Sequence, residues 1–89
     1  FTLADTENYI INNRAATNTA TLPAASAWTG REIYMKTIQA QTVVSASANV
    51  VPSTSDAAGT PILPATDGAW ALLVSDGTNW IIIAANPLV

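Results

Sequence analysis

Apolar residues in this chain fall in short runs, interrupted by turn residues roughly every eight to twelve positions. That rhythm belongs to strands in a sandwich or barrel. The clearest alternation is in residues 31–39, where Ile33 and Met35 point one way and Glu32, Tyr34 and Lys36 the other. Period two is the signature of a half-buried strand. Strands are also expected over residues 9–11, 17–22, 42–47, 61–63, 69–74 and 80–85, with 49–52 continuing the fourth. Pro23 ends the second, because proline donates no ladder hydrogen bond. Residues 24–30 read as a loop of small residues around Trp28, and 53–59 as a polar loop. The expected fold is all-β: a small antiparallel β-sandwich or barrel-like module of about seven short strands. One domain spans 1–89, with 1–8 as an N-terminal arm or linker.

The last two strands break the pattern. Between them lies Ser75-Asp76-Gly77-Thr78-Asn79, and Asp-Gly between apolar runs signals a tight hairpin. Neither strand alternates. Trp70, Leu72 and Val74 share one face, and Ala71 and Leu73 the other. Trp80, Ile82 and Ala84 oppose Ile81, Ile83 and Ala85. A strand that is apolar on both sides is expected to be covered on both sides. Within so small a domain the second cover is assigned to another subunit, so Trp70, Leu72, Trp80, Ile81, Ile82 and Ile83 are the expected oligomer interface.

Composition strengthens that expectation. Of 89 residues only 10% are charged, while 49% are hydrophobic. Globular chains average about a quarter charged. Thr, Ser, Asn and Ala fill the gap, which suits a surface partly hidden against neighbours and otherwise neutral. Net charge is −3 with Arg14, Arg31 and Lys36 as the cations, which excludes the basic footprint that nucleic acid requires. No apolar run nears the ~18 residues of a membrane helix. The chain opens on Phe1, as a processed product or an excised segment does.

Chemistry is thinly supplied. There is no Cys and no His, so disulfides, thiolate metal sites and Ser-His or Cys-His nucleophile pairs are excluded. Of the acidic residues, Asp67 and Asp76 each precede a glycine, where turn geometry explains them. No catalytic residue, metal ligand or cofactor is assigned. Arg31, Glu32 and Lys36 read as an exposed strand face, solvated or forming an inter-subunit salt bridge. Trp28, in its loop of small residues, is the candidate contact for a glycan or partner, against a role in plugging the core or a subunit interface.

Three segments carry a resemblance: Thr21-Leu22-Pro23-Ala24-Ala25, Gly30-Arg31-Glu32-Ile33-Tyr34-Met35-Lys36, and Ser75-Asp76-Gly77-Thr78-Asn79-Trp80-Ile81-Ile82. In this order they resemble small β-modules of tailed-bacteriophage virion proteins, found in tail fibres, baseplate attachments and capsid fibres or decorations. The resemblance implies a non-enzymatic, homotrimeric structural module on the virion surface that contacts other virion proteins. The rival expectation is a receptor-binding module for host cell-surface glycans, with Trp28 and the loops 53–59 and 75–79 as its site.

Overall fold

The computed structural model describes residues 1–87. It contains eight strands: β1 (Tyr9–Asn12), β2 (Asn18–Ala20), β3 (Glu32–Thr37), β4 (Val43–Ser45), β5 (Val50–Val51), β6 (Pro61–Leu63), β7 (Trp70–Ser75) and β8 (Trp80–Asn86). Among the described residues the one other regular element is a 3₁₀ turn at Ala25–Ala27. The chain is all-β, as the periodicity predicts. Its strands form a five-stranded sheet, in the order β1-β3-β7-β8-β5, and a three-stranded sheet, β2-β4-β6.

The chain switches sheets at every connection until the final hairpin, and this corrects the expectation of purely antiparallel pairing. β1 with β3, β2 with β4 and β5 with β8 are parallel; β3 with β7, β4 with β6 and β7 with β8 are antiparallel. Residues 49–52 do not prolong the fourth strand. Val50–Val51 is a separate strand, on the edge of the other sheet.

Both sheets point their apolar sides at one core. The larger contributes Ile33, Met35, Ala71, Leu73, Trp80, Ile82 and Val50; the smaller contributes Ala20, Val43, Ile62 and Leu63. The alternation of β3 is realised in full, with Ile33, Met35 and Thr37 buried and Glu32, Tyr34 and Lys36 exposed. Trp80 is wholly buried and Ile82 is 3% exposed. Both therefore belong to the chain's own core, contrary to their expected place in a subunit interface.

Residues 1–8 are a docked arm rather than a free linker. The Phe1 ammonium donates to the Thr19 carbonyl, the Thr21 amide to that of Phe1, and the Leu3 amide to that of Thr21. Leu3 itself is in the core. The far end of the sheet is closed by buried polar groups. Asn12 Nδ2 donates to Thr37 Oγ1 at 3.1 Å, and Asn12 Oδ1 accepts from Asn18 Nδ2 at 2.8 Å. These bonds satisfy groups that would be costly to bury unpaired.

One turn is visibly strained. Ala48, between β4 and β5, has φ +51°, a region that costs an alanine about 1 kcal/mol or more. Glycine loses more freedom on folding, which offsets part of the relief. Ala48→Gly is expected to stabilise the fold by up to about 1 kcal/mol in chemical denaturation; a clear loss of stability would contradict this account.

Candidate functional site

The outer side of the five-stranded sheet is the candidate site. Residues paired across a sheet share a face, so the register assigns its members. Tyr9 and Ile11 of β1 lie beside Tyr34 and Lys36 of β3. Lys36, Tyr34 and Glu32 lie beside Trp70, Leu72 and Val74 of β7. Ala84 and Ile81 of β8 continue the rows from Leu72 and Val74, and Val51 of β5 stands beside Ile81. In β8, Ile83 has no partner in the register. The pairing slips between Leu72 and Leu73, a bulge that leaves Ile83 59% exposed. A bulge re-aims side chains. It corrects the alternation expected for this strand: beyond it Ala84 aligns with outward Leu72, and Ala85 packs on the core.

Tyr9 is 78% exposed and Ile11 70%, with Tyr34, Trp70 and Ile83 also open to solvent. Leu72, Val74 and Ile81 are half-buried. The Tyr9 and Tyr34 rings stack at 5.3 Å, inclined by 10°. With Ile11, Lys36 and Trp70 they border a shallow groove of about 310 Å³. Five strands about 4.8 Å apart, with six residues rising about 3.3 Å each, give a face of roughly 400 Å² in projection. Apolar patches of that size on a single chain are often functional.

Of the expected interface residues, Trp70, Leu72, Ile81 and Ile83 thus lie on this face, while Trp80 and Ile82 point away from it. Tyr9, Ile11 and Tyr34 were not among the expected interface residues. The available signal was Tyr34, an aromatic in the outward row of β3 beside two charges.

The three segments that carry the resemblance converge at one end of this sheet, around Ser75. Its buried hydroxyl donates to the Ala25 carbonyl at 2.7 Å. Its carbonyl accepts from Gly30 N at 2.8 Å, and its amide donates to the Arg31 carbonyl at 3.0 Å. The Trp80 indole donates to the Pro23 carbonyl at 2.9 Å. These residues lock the loop 21–30 onto the β7–β8 hairpin. The turn is self-braced: Asp76 Oδ1 accepts from Thr78 N at 2.9 Å and Asn79 N at 2.8 Å, and Gly77 N donates to Ser75 Oγ at 3.2 Å. The bonds from Asn79 and Thr78 hold the Asp76 carboxyl below its ordinary value. A carboxyl lowered in the fold stabilises it at neutral pH, and that contribution fades as pH drops through the lowered value.

Trp28 is half-buried and packs against the core. The Arg31 guanidinium sits over its ring, 4.9 Å from the centre, so one stacking face is taken. Arg31 is not part of an exposed strand face. Its Nη2 donates to the Ala4 carbonyl at 3.2 Å and to the Glu7 carbonyl, and its Nε to Asn8 Oδ1 at 3.1 Å. It clamps the N-terminal arm. Glu32 and Lys36 are exposed as expected. Among the described residues no three acidic side chains gather as a metal site would need.

Comparison of the chain with protein-family models, with curated proteins and with solved structures finds no match.

Proposed function

We propose that this chain is a structural module of a bacteriophage virion that associates with copies of itself through the outer face of its five-stranded sheet. The observation that carries self-association is the set of exposed apolar side chains on that face, Tyr9, Ile11, Tyr34, Trp70 and Ile83. A sheet that is apolar on both sides needs cover on both, and the chain's own second sheet supplies only one. The scarcity of charge supports the same reading. The three motif segments connect it to tail fibres and capsid decorations, in which such modules assemble as trimers. The work is mechanical: copies pack together, stiffen a projection and contact other virion proteins at the particle surface.

Ile83→Asp tests the reading. Its side chain points to solvent, so the fold should survive with unchanged near-ultraviolet circular dichroism. Sedimentation should show an oligomer for the parent chain and a monomer for the variant. An unchanged variant oligomer, or a parent chain that stays monomeric at tens of micromolar, would overturn it.

A second reading has one observation of its own. The stacked, exposed Tyr9–Tyr34 pair beside Trp70 offers aromatic faces to a sugar ring, and moves the glycan alternative away from Trp28. Glycan binding that is lost in Tyr9→Ala while the oligomer persists would favour it.

A further inference from the structure

Four strands stand at sheet edges: β1 and β5 in the larger sheet, β2 and β6 in the smaller. An edge strand presents unpaired backbone groups and is a template for another strand unless it is blunted or covered. Three of the four are. Along β2 the N-terminal arm takes up the Thr19 carbonyl and both backbone groups of Thr21. Val50 of β5 exchanges both of its backbone bonds with Gly59, through its N–H at 3.1 Å and its carbonyl at 2.8 Å. β6 is three residues long, and Pro61 and Pro64 bring it no N–H.

β1 has no such cover. Its bonds to β3 use alternate residues: the Asn8 carbonyl accepts from Tyr34 N at 2.8 Å and the Asn12 carbonyl from Ile38 N at 2.9 Å. Tyr9 and Ile11 therefore direct their N–H and C=O groups away from β3. Among the described residues no hydrogen bond engages these four groups. A groove lies on each side of the strand, and Ile10 and Ile11 border both. One is the outer-face groove with Lys36. The second, about 300 Å³, opens between β1 and Phe1, Asn18 and the exposed Arg14. Each groove thus holds a cationic side chain, and neither is bordered by a carboxylate. In a chain with three Lys and Arg against six Asp and Glu, that is a local reversal of charge.

Resting on the reading of a module that contacts other virion proteins, we infer that β1 accepts an extended, acidic segment of another protein as a sixth strand of the larger sheet. Tyr9 and Ile11 give it four backbone hydrogen bonds, the main source of affinity in strand addition. Side chains of an added strand alternate between the two sides of the sheet. One row lies beside Tyr9 and Ile11, toward Lys36, and the other enters the groove toward Arg14. Carboxylates in either row meet a cation. A second copy would meet this edge only with its own β1, because its other edges are closed, and that pairing is twofold and does not build a threefold module. Addition lies in the plane of the sheet and leaves Tyr34, Trp70 and Ile83 to the contact between copies.

Amide hydrogen exchange tests it, with a capped peptide of alternating valine and aspartate, about seven residues long, as the probe. The Tyr9 and Ile11 amides should exchange fast in the chain alone. At about 1 mM peptide they should slow by about tenfold or more, with exchange in β8 unchanged. The same peptide with lysine for aspartate, or N-methylated on every residue, should give little protection. Ile11→Pro removes an edge N–H and leaves the β1–β3 bonds intact, so it should keep the circular dichroism of the parent and lose the protection at Tyr9. The acidic peptide should protect Ile83→Asp as well as the parent, which separates this site from the face between copies: self-association and strand addition then stand or fall apart. No protection by the acidic peptide, or equal protection by its N-methylated form, would overturn the inference. Equal protection by the lysine peptide would overturn the acidic partner. Protection without peptide that fades on dilution would assign the edge to a second copy and overturn it too.

Discussion

Trp80→Ala is expected to leave the chain largely unfolded at room temperature. The side chain is fully buried between the two sheets, and truncating a buried tryptophan typically costs about 3–5 kcal/mol. The loss also strands the half-buried Pro23 carbonyl, which accepts the indole N–H; an unpaired acceptor adds about 1 kcal/mol there, the low end for a buried group. A domain of ordinary stability holds about 5–15 kcal/mol in total, and one this short sits toward the low end. Urea denaturation followed by circular dichroism reads the result. Trp80→Phe is the informative companion, since it keeps most of the volume but not the donor, and should cost less. A Trp80→Ala chain as stable as the parent would mean that this indole does not hold the core.

Arg31→Ala is expected to release the N-terminal arm and cost about 2–3 kcal/mol. One guanidinium satisfies two backbone carbonyls and the Asn8 side chain while lying on Trp28. Hydrogen bonds from a charged donor are worth about 1.5–3 kcal/mol each when intact; partial exposure of the site reduces what their loss costs. The distinctive readout is local. Hydrogen exchange at Leu3 and Thr21, whose amides bridge arm and sheet, should speed up more than exchange in β7. Uniform acceleration across both would show that Arg31 acts on the whole fold and not on the arm. Arg31→Lys should rescue little, because an ammonium cannot reproduce the forked donation.

The hairpin and its limits are plain in the sequence, and so is the alternation of β3. Asp-Gly between two apolar runs locates β7 and β8 to within a residue at most ends. Ile33 and Met35 against Glu32, Tyr34 and Lys36 orient β3. What a single strand cannot reveal is its neighbour. β1 lies parallel to β3 only because β2 crosses to the other sheet between them, and periodicity carries no trace of that crossing.

The same gap explains Trp80 and Ile82. In a strand that is apolar on both sides, alternation gives no direction. Direction comes from pairing: Ile33 lies beside Leu73, which lies beside Ile82, so the inward side of β3 dictates that of the hairpin. The row that points outward in β7, Trp70, Leu72 and Val74, is bulkier than the inward Ala71, Leu73 and Ser75. Ser75 lies beside the wholly buried Trp80 and its hydroxyl must reach the Ala25 carbonyl, while Ala71 lies beside Ala85. The bulge at Ile83 then shifts Ala84 and Ala85 by one position. The clamp at Arg31 is hidden for a related reason, since the arm it grips is distant in sequence and has no periodicity.

The bracing of the Asp-Gly turns also bears on how slowly this protein ages. Asp-Gly steps are the usual points of backbone rearrangement: the glycine nitrogen attacks the aspartyl carboxyl, water leaves, and the succinimide reopens to isoaspartate. That attack needs a free glycine nitrogen, a mobile side chain and a protonated carboxyl. At Asp76-Gly77 the glycine N–H is held by Ser75 Oγ, the carboxylate is pinned by two amides, and its lowered pKa keeps it ionised. At Asp67-Gly68 the glycine N–H is held by the Thr37 carbonyl at 2.9 Å. The bonds that shape the hairpin turn therefore also hold its backbone away from this route of chemical decay.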